Sequence, residues 1–431
     1  MDFSRSIKLN GNDLSEDGIM MKMLVIKDWF FDMVPRLEIV LTDSNDVLFN
    51  TYPIQDDSII ELEMNKNSDP DKQEDPIPIK FNVLDWSSMP MITGQDSGHV
   101  HEITGYLNVS DLFHPIVTKS FKEKTSGGVL KEIAESLGLD YVKNIDTEPS
   151  DTMTWLQVGQ NNHDMIKYVN NRSFFSDDDA SLTYVNLKNE LIFTTLKTEC
   201  EKEVAFVGKM GQQQKDDVQD NFNDVNSTTG DKKDIPTFFY SFATNKTLAS
   251  RNKMGGYGTK STYYDGKGEQ ASFPGSGNGD KLLNNLSQKN KNNVGQEVKH
   301  YEFGILNGGD QFSEGIHKEF FNSQVRHEYT VSNFFKTSVI VKIKGNSLIK
   351  KYDIVDLVTH SSVDQEMNEP HSGKYIVGGI IHTLGDETEY SVQLVLYRSG
   401  INKPSKKELM DLISDDGSGD GKGTGFIDRL L

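Results

Sequence analysis

The sequence reads as a mainly β chain interrupted by one α+β unit, and three observations carry that reading. Apolar residues recur at every second position in short stretches before residue 110 and again after residue 337, the period of a half-buried strand. One segment, 126–138, switches to the spacing of a helical stripe. Between the later strands lies a polar run, 246–324, marked by Gly-Gly-Tyr-Gly and Gly-Ser-Gly-Asn-Gly.

The first unit is all strand and turn. Ile19, Met21, Met23 and Val25 alternate, and Leu37 to Thr42 follows Pro35. Ser58 to Glu63 and Ile79 to Leu84 alternate on either side of the charged, Pro-bounded stretch Asp69 to Pro76. Ile103 to Val109 adds another strand, and the unit closes near Pro115. Short strands with polar turns predict an antiparallel barrel or sandwich.

The period then changes. Residues 129, 130, 133, 134 and 137 form one apolar stripe, with Ser126 as the predicted N-cap and Gly138 as the residue after the helix. A second helix is predicted from Asn161 or Asn162, with Met165, Ile166 and Val169 facing inward. Leu182 to Leu187 and Glu190 to Leu196 flank Lys188-Asn189 as a hairpin. Residues 118–200 thus form a small α+β domain.

From Lys202 the pattern returns to β, including Thr237 to Phe242, with Gln212 to Asp234 as a polar loop. Residues 255–279 have the composition of a long loop, or of an extension ordered in an assembly. Strands are predicted again at 338–344, 352–358, 374–382 and 390–397. Ser405 to Ile413 reads as an amphipathic helix, Asp415 to Gly425 as a Gly/Asp linker, and the chain ends on an apolar peptide.

Composition excludes several function classes. The chain has 431 residues and a net charge of −20, from 45 Lys+Arg against 65 Asp+Glu. At about 100–200 residues per domain, that length predicts about two to four domains. The charge repels a phosphate backbone, and only seven cations are Arg, so sequence-specific nucleic-acid binding is not expected. A like-charged wall would still let a polyanion slide past. No stretch approaches the ~18 apolar residues of a membrane span, and Met1-Asp2-Phe3-Ser4-Arg5 lacks the build of a signal peptide. A single cysteine, Cys200, excludes a disulfide framework within the chain and suggests folding in a reducing cytoplasm.

Candidate chemistry fares poorly. His99 and His101 share a strand face, but no further ligands lie nearby to complete a metal site. Gly255 to Ser261 lacks the spacing of a phosphate loop. Ser176 to Asp179 and Asp415 to Gly421 lack the alternating oxygens and distal Glu of a Ca²⁺ loop. Cys200 sits between Glu199 and Glu201, whose charges oppose a thiolate. No cofactor, metal or catalytic residue is assigned, although 65 acids leave room for a hidden glycosidase pair.

The closing β run carries a resemblance. Gly373-Lys-Tyr-Ile-Val-Gly-Gly-Ile-Ile-His382, a turn at Gly385-Asp386, and Tyr390-Ser-Val-Gln-Leu-Val-Leu-Tyr-Arg398 resemble the closing hairpin of phage baseplate hub proteins. That family includes the late control protein D of contractile-tailed phages and the hub part of type VI secretion spikes. Ser126 to Gly138 followed by Trp155 to Ile166 is similar to the family's middle segment, and Ile7 to Gly11 through Leu37 to Asp43 to its opening.

The resemblance implies two tube-like antiparallel β-barrels flanking the α+β domain. They span 1–117, and 201–245 with 325–400; 246–324 is a Gly-rich insertion and 401–431 a C-terminal helix, linker and docking peptide. It implies a homotrimer whose six barrels form a ring between a hexameric tail tube and a trimeric central spike, with DNA passing through. Tail tube and spike proteins are the implied partners, then baseplate wedge and tape measure proteins. The implied place is the virion's tail baseplate, assembled in host cytoplasm, without stable membrane association and without enzymatic activity.

For partner contact the sequence offers Phe426, Ile427, Leu430 and Leu431, isolated from the core by the linker. A frayed terminus is the plainer reading. The doublets Phe320-Phe321 and Phe334-Phe335 are further candidates, with core packing as the competing role. The alternatives to a hub are a cell-wall or polysaccharide hydrolase, or a glycan-binding module, of the same particle.

Overall fold

Alternating burial fixes the first strands. The computed structural model describes residues 3–14, 18–64, 77–91, 98–176, 179–210, 234–244, 258–264, 270–274, 295–301, 316–317, 319–335, 337–344, 349–359, 371–385 and 390–399. The first β unit contains β1 (Phe3–Leu9), β2 (Asn12–Asp13), β3 (Ile19–Trp29), β4 (Arg36–Asp43), a one-turn helix α1 (Val47–Asn50), β5 (Ile59–Met64), β6 (Ile77–Pro90) and β7 (His99–Leu107). Leu37, Ile39 and Leu41 of β4 are buried in step, as their spacing requires.

The α+β unit follows: β8 (Val117–Lys124), α2 (Ser126–Ser136), β9 (Asp140–Lys143), β10 (Met153–Gln160), α3 (Asn162–Arg172), β11 (Ser181–Val185), β12 (Glu190–Thr195) and α4 (Leu196–Cys200). Val129, Leu130, Ile133 and Ala134 of α2 pack with Met165, Ile166 and Val169 of α3 in one core. The rest of the chain contributes β13 (Val204–Met210), β14 (Asp234–Thr244), β15 (Gly258–Tyr264), β16 (Gln270–Pro274), β17 (Gly295–Tyr301), α5 (Phe320–Phe334), β18 (Thr337–Lys344), β19 (Ile354–Thr359), β20 (Gly373–Gly385) and β21 (Ser391–Arg398).

Both β units belong to one 13-stranded curled sheet, ordered β19-β13-β14-β18-β21-β20-β3-β4-β7-β6-β5-β1-β2. A further β19–β20 pairing closes the second unit on itself as a barrel. The first unit stays open among the described residues. The link between them is β20 against β3, antiparallel from Gly379↔Trp29 to Gly385↔Met23.

The two units repeat each other. Strands β3, β4, β7, β6 and β5 have 11, 8, 9, 14 and 6 residues; β14, β18, β21, β20 and β19 have 11, 8, 8, 13 and 6. The first pair of each unit carries a bulge, between Met21 and Met23 and between Thr237 and Phe239. So does the third, between Val83 and Asp85 and between Val377 and Gly379. Aligning the bulges sets Ile59-Ile-Glu-Leu62 on Ile354-Val-Asp-Leu357, and Lys80-Phe81 on Lys374-Tyr375. The cross-strand pair Glu61↔Lys80 then matches Asp356↔Lys374. Coincident length, bulge and register identify a duplicated unit.

Several local expectations shift. The bulge in β3 inserts Lys22, so Met23 turns to solvent while Leu24 and Ile26 take the core face. The α2 cap is Thr125, not Ser126; its hydroxyl accepts from Gly128 N at 3.2 Å, while Gly138 has the expected left-handed backbone, φ +69°. Asn161 caps α3 by accepting from Asp164 N at 2.8 Å. The β11–β12 turn is wider than two residues, because the Asn186 side chain accepts from Lys188 N and Glu190 N. Strand β13 runs parallel to both its neighbours, where only antiparallel pairing was expected. The long stretch 211–233 makes this feasible, since parallel neighbours need a crossover connection. Within 246–324, β16, β15 and β17 form a small sheet in place of an unbroken loop.

Candidate assembly site

The joint between the β units depends on one strand changing partners. The first residues of β20, Gly373 to Ile376, pair with β19; from Gly379 onward it pairs with β3. Gly378 and Gly379 sit at the switch. A Cβ on Gly378 would lie 2.4 Å from Tyr397 Cδ2, and one on Gly379 would lie 3.3 Å from Trp29 Cε3. At Gly378 only glycine lets the Tyr397 ring close over the strand, while a Cβ on Gly379 would press on Trp29. Phe30 N donates to Gly378 O at 2.8 Å, continuing the ladder past the bulge.

Aromatic rings and a buried ion pair brace the joint. Phe30 stacks on Phe335 at 4.0 Å between centroids, and Tyr397 meets both edge-on at 5.3 Å. Lys351, ahead of β19, pairs with Asp28 of β3 and donates to Trp29 O at 3.2 Å. Its ammonium lies 4.6 Å from the Tyr184 ring of β11, so all three units meet there. Burial raises the Asp28 carboxyl above its ordinary value and Lys351 opposes that rise. Such a pair contributes little net stability when intact but is costly to halve.

The counterpart of this joint is bare on the other unit. Residues Ile77 to Asn82 of β6 pair with β5, but the strand runs on to Pro90 with only β7 beside it among the described residues. Met91 N donates to Gly98 O. By antiparallel alternation Pro90, Ser88 and Trp86 therefore aim their backbone groups away from β7. Leu84 is 66% exposed and Met89 53%. On β14, β13 covers only Asp234 to Pro236, so among the described residues Thr237 to Thr244 pair only with β18. An open strand edge with apolar neighbours is a template for pairing with another chain.

The predicted contact residues divide differently. Phe320, Phe334 and Phe335 are buried inside the chain. Phe320 lies 4.8 Å from the Arg172 guanidinium, and the other two belong to the joint cluster. Phe321 lies on α5, and its side chain is outside the description, as are Phe426, Ile427, Leu430 and Leu431. Sequence reading missed Leu84, Met89, Phe31 and Ile116 as exposed apolar residues. The similarity of Ile59–Leu62 to Ile354–Leu357, identical at two positions and conservative at the other two, was the signal that could have led to the β6 edge.

Polar groups in the first unit serve packing. His101 is buried; Trp86 Nε1 donates to its Nδ1 at 3.1 Å, and Asp43 Oδ2 lies 3.6 Å from its Nε2. Burial lowers its pKa, with Asp43 opposing. Asp43 is itself below the ordinary range: burial works against its charge, and backbone N–H groups of Leu48, Val47 and Asn45 outweigh it. His99 pairs with Asp46 at 2.7 Å. Among the described residues no group of three or more His, Cys, Asp or Glu could hold a metal. Cys200 is buried, which pushes its thiol pKa up.

No protein-family model and no curated protein matches the sequence. Solved structures do match. A 43 kDa tail protein of prophage MuSo2 from Shewanella oneidensis aligns with a TM-score of 0.54 at 10% identity, over 92% of this chain and 99% of that one. The tail protein from Neisseria meningitidis MC58 aligns with a TM-score of 0.53 at 8% identity, over 93% and 98%. The mainly β architecture described above is the fold of these two tail proteins, shared along nearly the whole chain.

Proposed function

We propose that the chain is the structural hub of a contractile tail's baseplate, acting as a homotrimer between a hexameric tail tube and a trimeric central spike. The observation that carries this reading is the end-to-end fold match with two tail proteins. The internal duplication supports it physically. Two like units per chain turn three copies into six, which is what an adaptor between threefold and sixfold partners needs.

The role is geometric rather than catalytic. One face of the sheet packs the core, and the other carries the cross-strand row Thr383, Val25, Glu38, Thr104 and Asp85, polar or charged apart from Val25. With a net charge of −20 over the chain, a channel built from such walls repels DNA and leaves it free to slide. The apolar end peptide, Phe426 to Leu431, on its Gly/Asp linker would add a tethered contact to a neighbouring subunit, wedge or tape measure protein.

Solution mass with negative-stain imaging tests the reading. A trimer weighs 3 × 48.5 = 145.5 kDa and should show threefold views with a central opening. A chain that stays monomeric with spike protein present would overturn it. Peptidoglycan or polysaccharide turnover abolished by a single Asp or Glu substitution would favour the hydrolase instead.

A further inference from the structure

The duplication shows what is missing from each bare edge. Within the chain, the post-bulge half of β20 is covered by β3. Its counterpart, the post-bulge half of β6, has no such cover among the described residues, and neither does the counterpart of β3's covered edge, Thr237 to Thr244 of β14. We infer that β6 of one copy adds to β14 of the next, antiparallel and in the register of the β20–β3 joint. The occupant of each edge is thus a second copy of this chain.

The repeat fixes the register. With Leu84 matched to Gly378, residues Ser87, Ser88 and Met89 correspond to Ile381, His382 and Thr383. With the β3 and β14 bulges matched, Ile26, Val25 and Lys27 correspond to Phe242, Ser241 and Ala243. Since His382 faces Ile26, Thr383 faces Val25 and Ile381 faces Lys27, Ser88 faces Phe242 of the next copy, Met89 faces Ser241 and Ser87 faces Ala243. The outward backbone groups of Trp86 and Ser88 form the ladder. Pro90, which lacks an N–H, ends it and limits unspecific pairing further along the edge.

This contact is head-to-tail, with a donor edge and an acceptor edge on every copy. It propagates until the rotation closes. Closure at three copies rests on the hub reading above; the pairing of edges rests on the duplication.

The test is a cysteine pair in the full chain, Met89→Cys with Ser241→Cys. Facing residues in a pair without ladder hydrogen bonds lie about 4.5 Å apart at Cα, within disulfide reach. Both parent side chains are exposed and the native Cys200 is buried. Mild oxidation should give covalent dimers and trimers on a non-reducing gel, at least tenfold more than the off-register pair Met89→Cys with Ala243→Cys. Separately, Ser88→Pro removes an outward N–H for which the described residues provide no acceptor, and should leave the circular dichroism unchanged while reducing the assembly to single chains. A wild-type trimer that gives no in-register cross-link, or that survives Ser88→Pro, overturns the edge assignment and leaves the hub reading standing. A wild-type chain that stays monomeric with spike protein present and gives no cross-link removes both.

Discussion

The two β units share bulges, register and strand lengths to within one residue, yet one covers the far half of its long strand with β3 and the other leaves it open among the described residues. At the matched bulge position, one has Gly378 beneath Tyr397 and the other has Leu84 at 66% exposure. The residue at each position follows from its cover. A strand half already paired inside the chain needs space for the rings that lock it. A strand half awaiting a partner can carry a side chain. The difference teaches that an intrachain joint and an open edge of one duplicated unit can be told apart by what occupies the bulge.

The strongest way to break the covered joint is to halve its ion pair. Lys351→Met leaves Asp28 buried beside Trp29 and Tyr184, and should cost about 3–5 kcal/mol by denaturant unfolding. The double variant Asp28→Leu with Lys351→Met should recover most of that loss. Gly378→Ala comes next. Its methyl forces the Tyr397 ring aside, for about 1–3 kcal/mol of overpacking.

Acid acts on the same strand. His382 of β20 lies against Tyr390, Nδ1 to hydroxyl 2.7 Å, and burial holds its pKa down to about 4. The unfolded imidazole titrates near 6.5, so between those values the unfolded chain binds more protons and the folded state weakens as pH falls. The slope from this group is up to about 1.4 kcal/mol per pH unit and ends below about pH 4, where both states are protonated. His382→Gln should flatten it in urea midpoints followed from neutral pH downward. His317, also held at about 4 by burial, supplies a second slope that this variant leaves in place.

The smallest effect is expected on the open side. Leu84→Ser should change single-chain stability by less than about 0.5 kcal/mol, since the side chain packs on little. A loss comparable to Gly378→Ala would mean that the edge is already covered within the chain and would end the comparison.

Much of this was legible beforehand. The α2 and α3 stripes, the alternation of β4 and the β11–β12 hairpin follow from local periodicity, which neighbouring residues impose on their own. The bulges were not legible: each needs a partner strand to define the extra residue, and nothing about Lys22 or Leu84 alone marks it. Nor was α5 foreseen, because its burial depends on α3 and β11. His327 of α5 reaches Ser181 O at 2.8 Å across 146 positions of sequence. For the doublet Phe334-Phe335 the sequence left partner contact and core packing both open, and the tertiary structure stacks Phe335 on Phe30.

The sequence by itself determined the mainly β class, the two helices α2 and α3, the absence of any long apolar span and the acidic balance, all of which depend on composition and short-range period. Only the tertiary structure decided that β20 leaves β19 for β3, that Asp28 and Lys351 meet, and that the far half of β6 has only β7 beside it among the described residues. Strand pairing is set by contacts between residues hundreds of positions apart, and a period-two pattern fixes which face is buried without naming the neighbour on either edge.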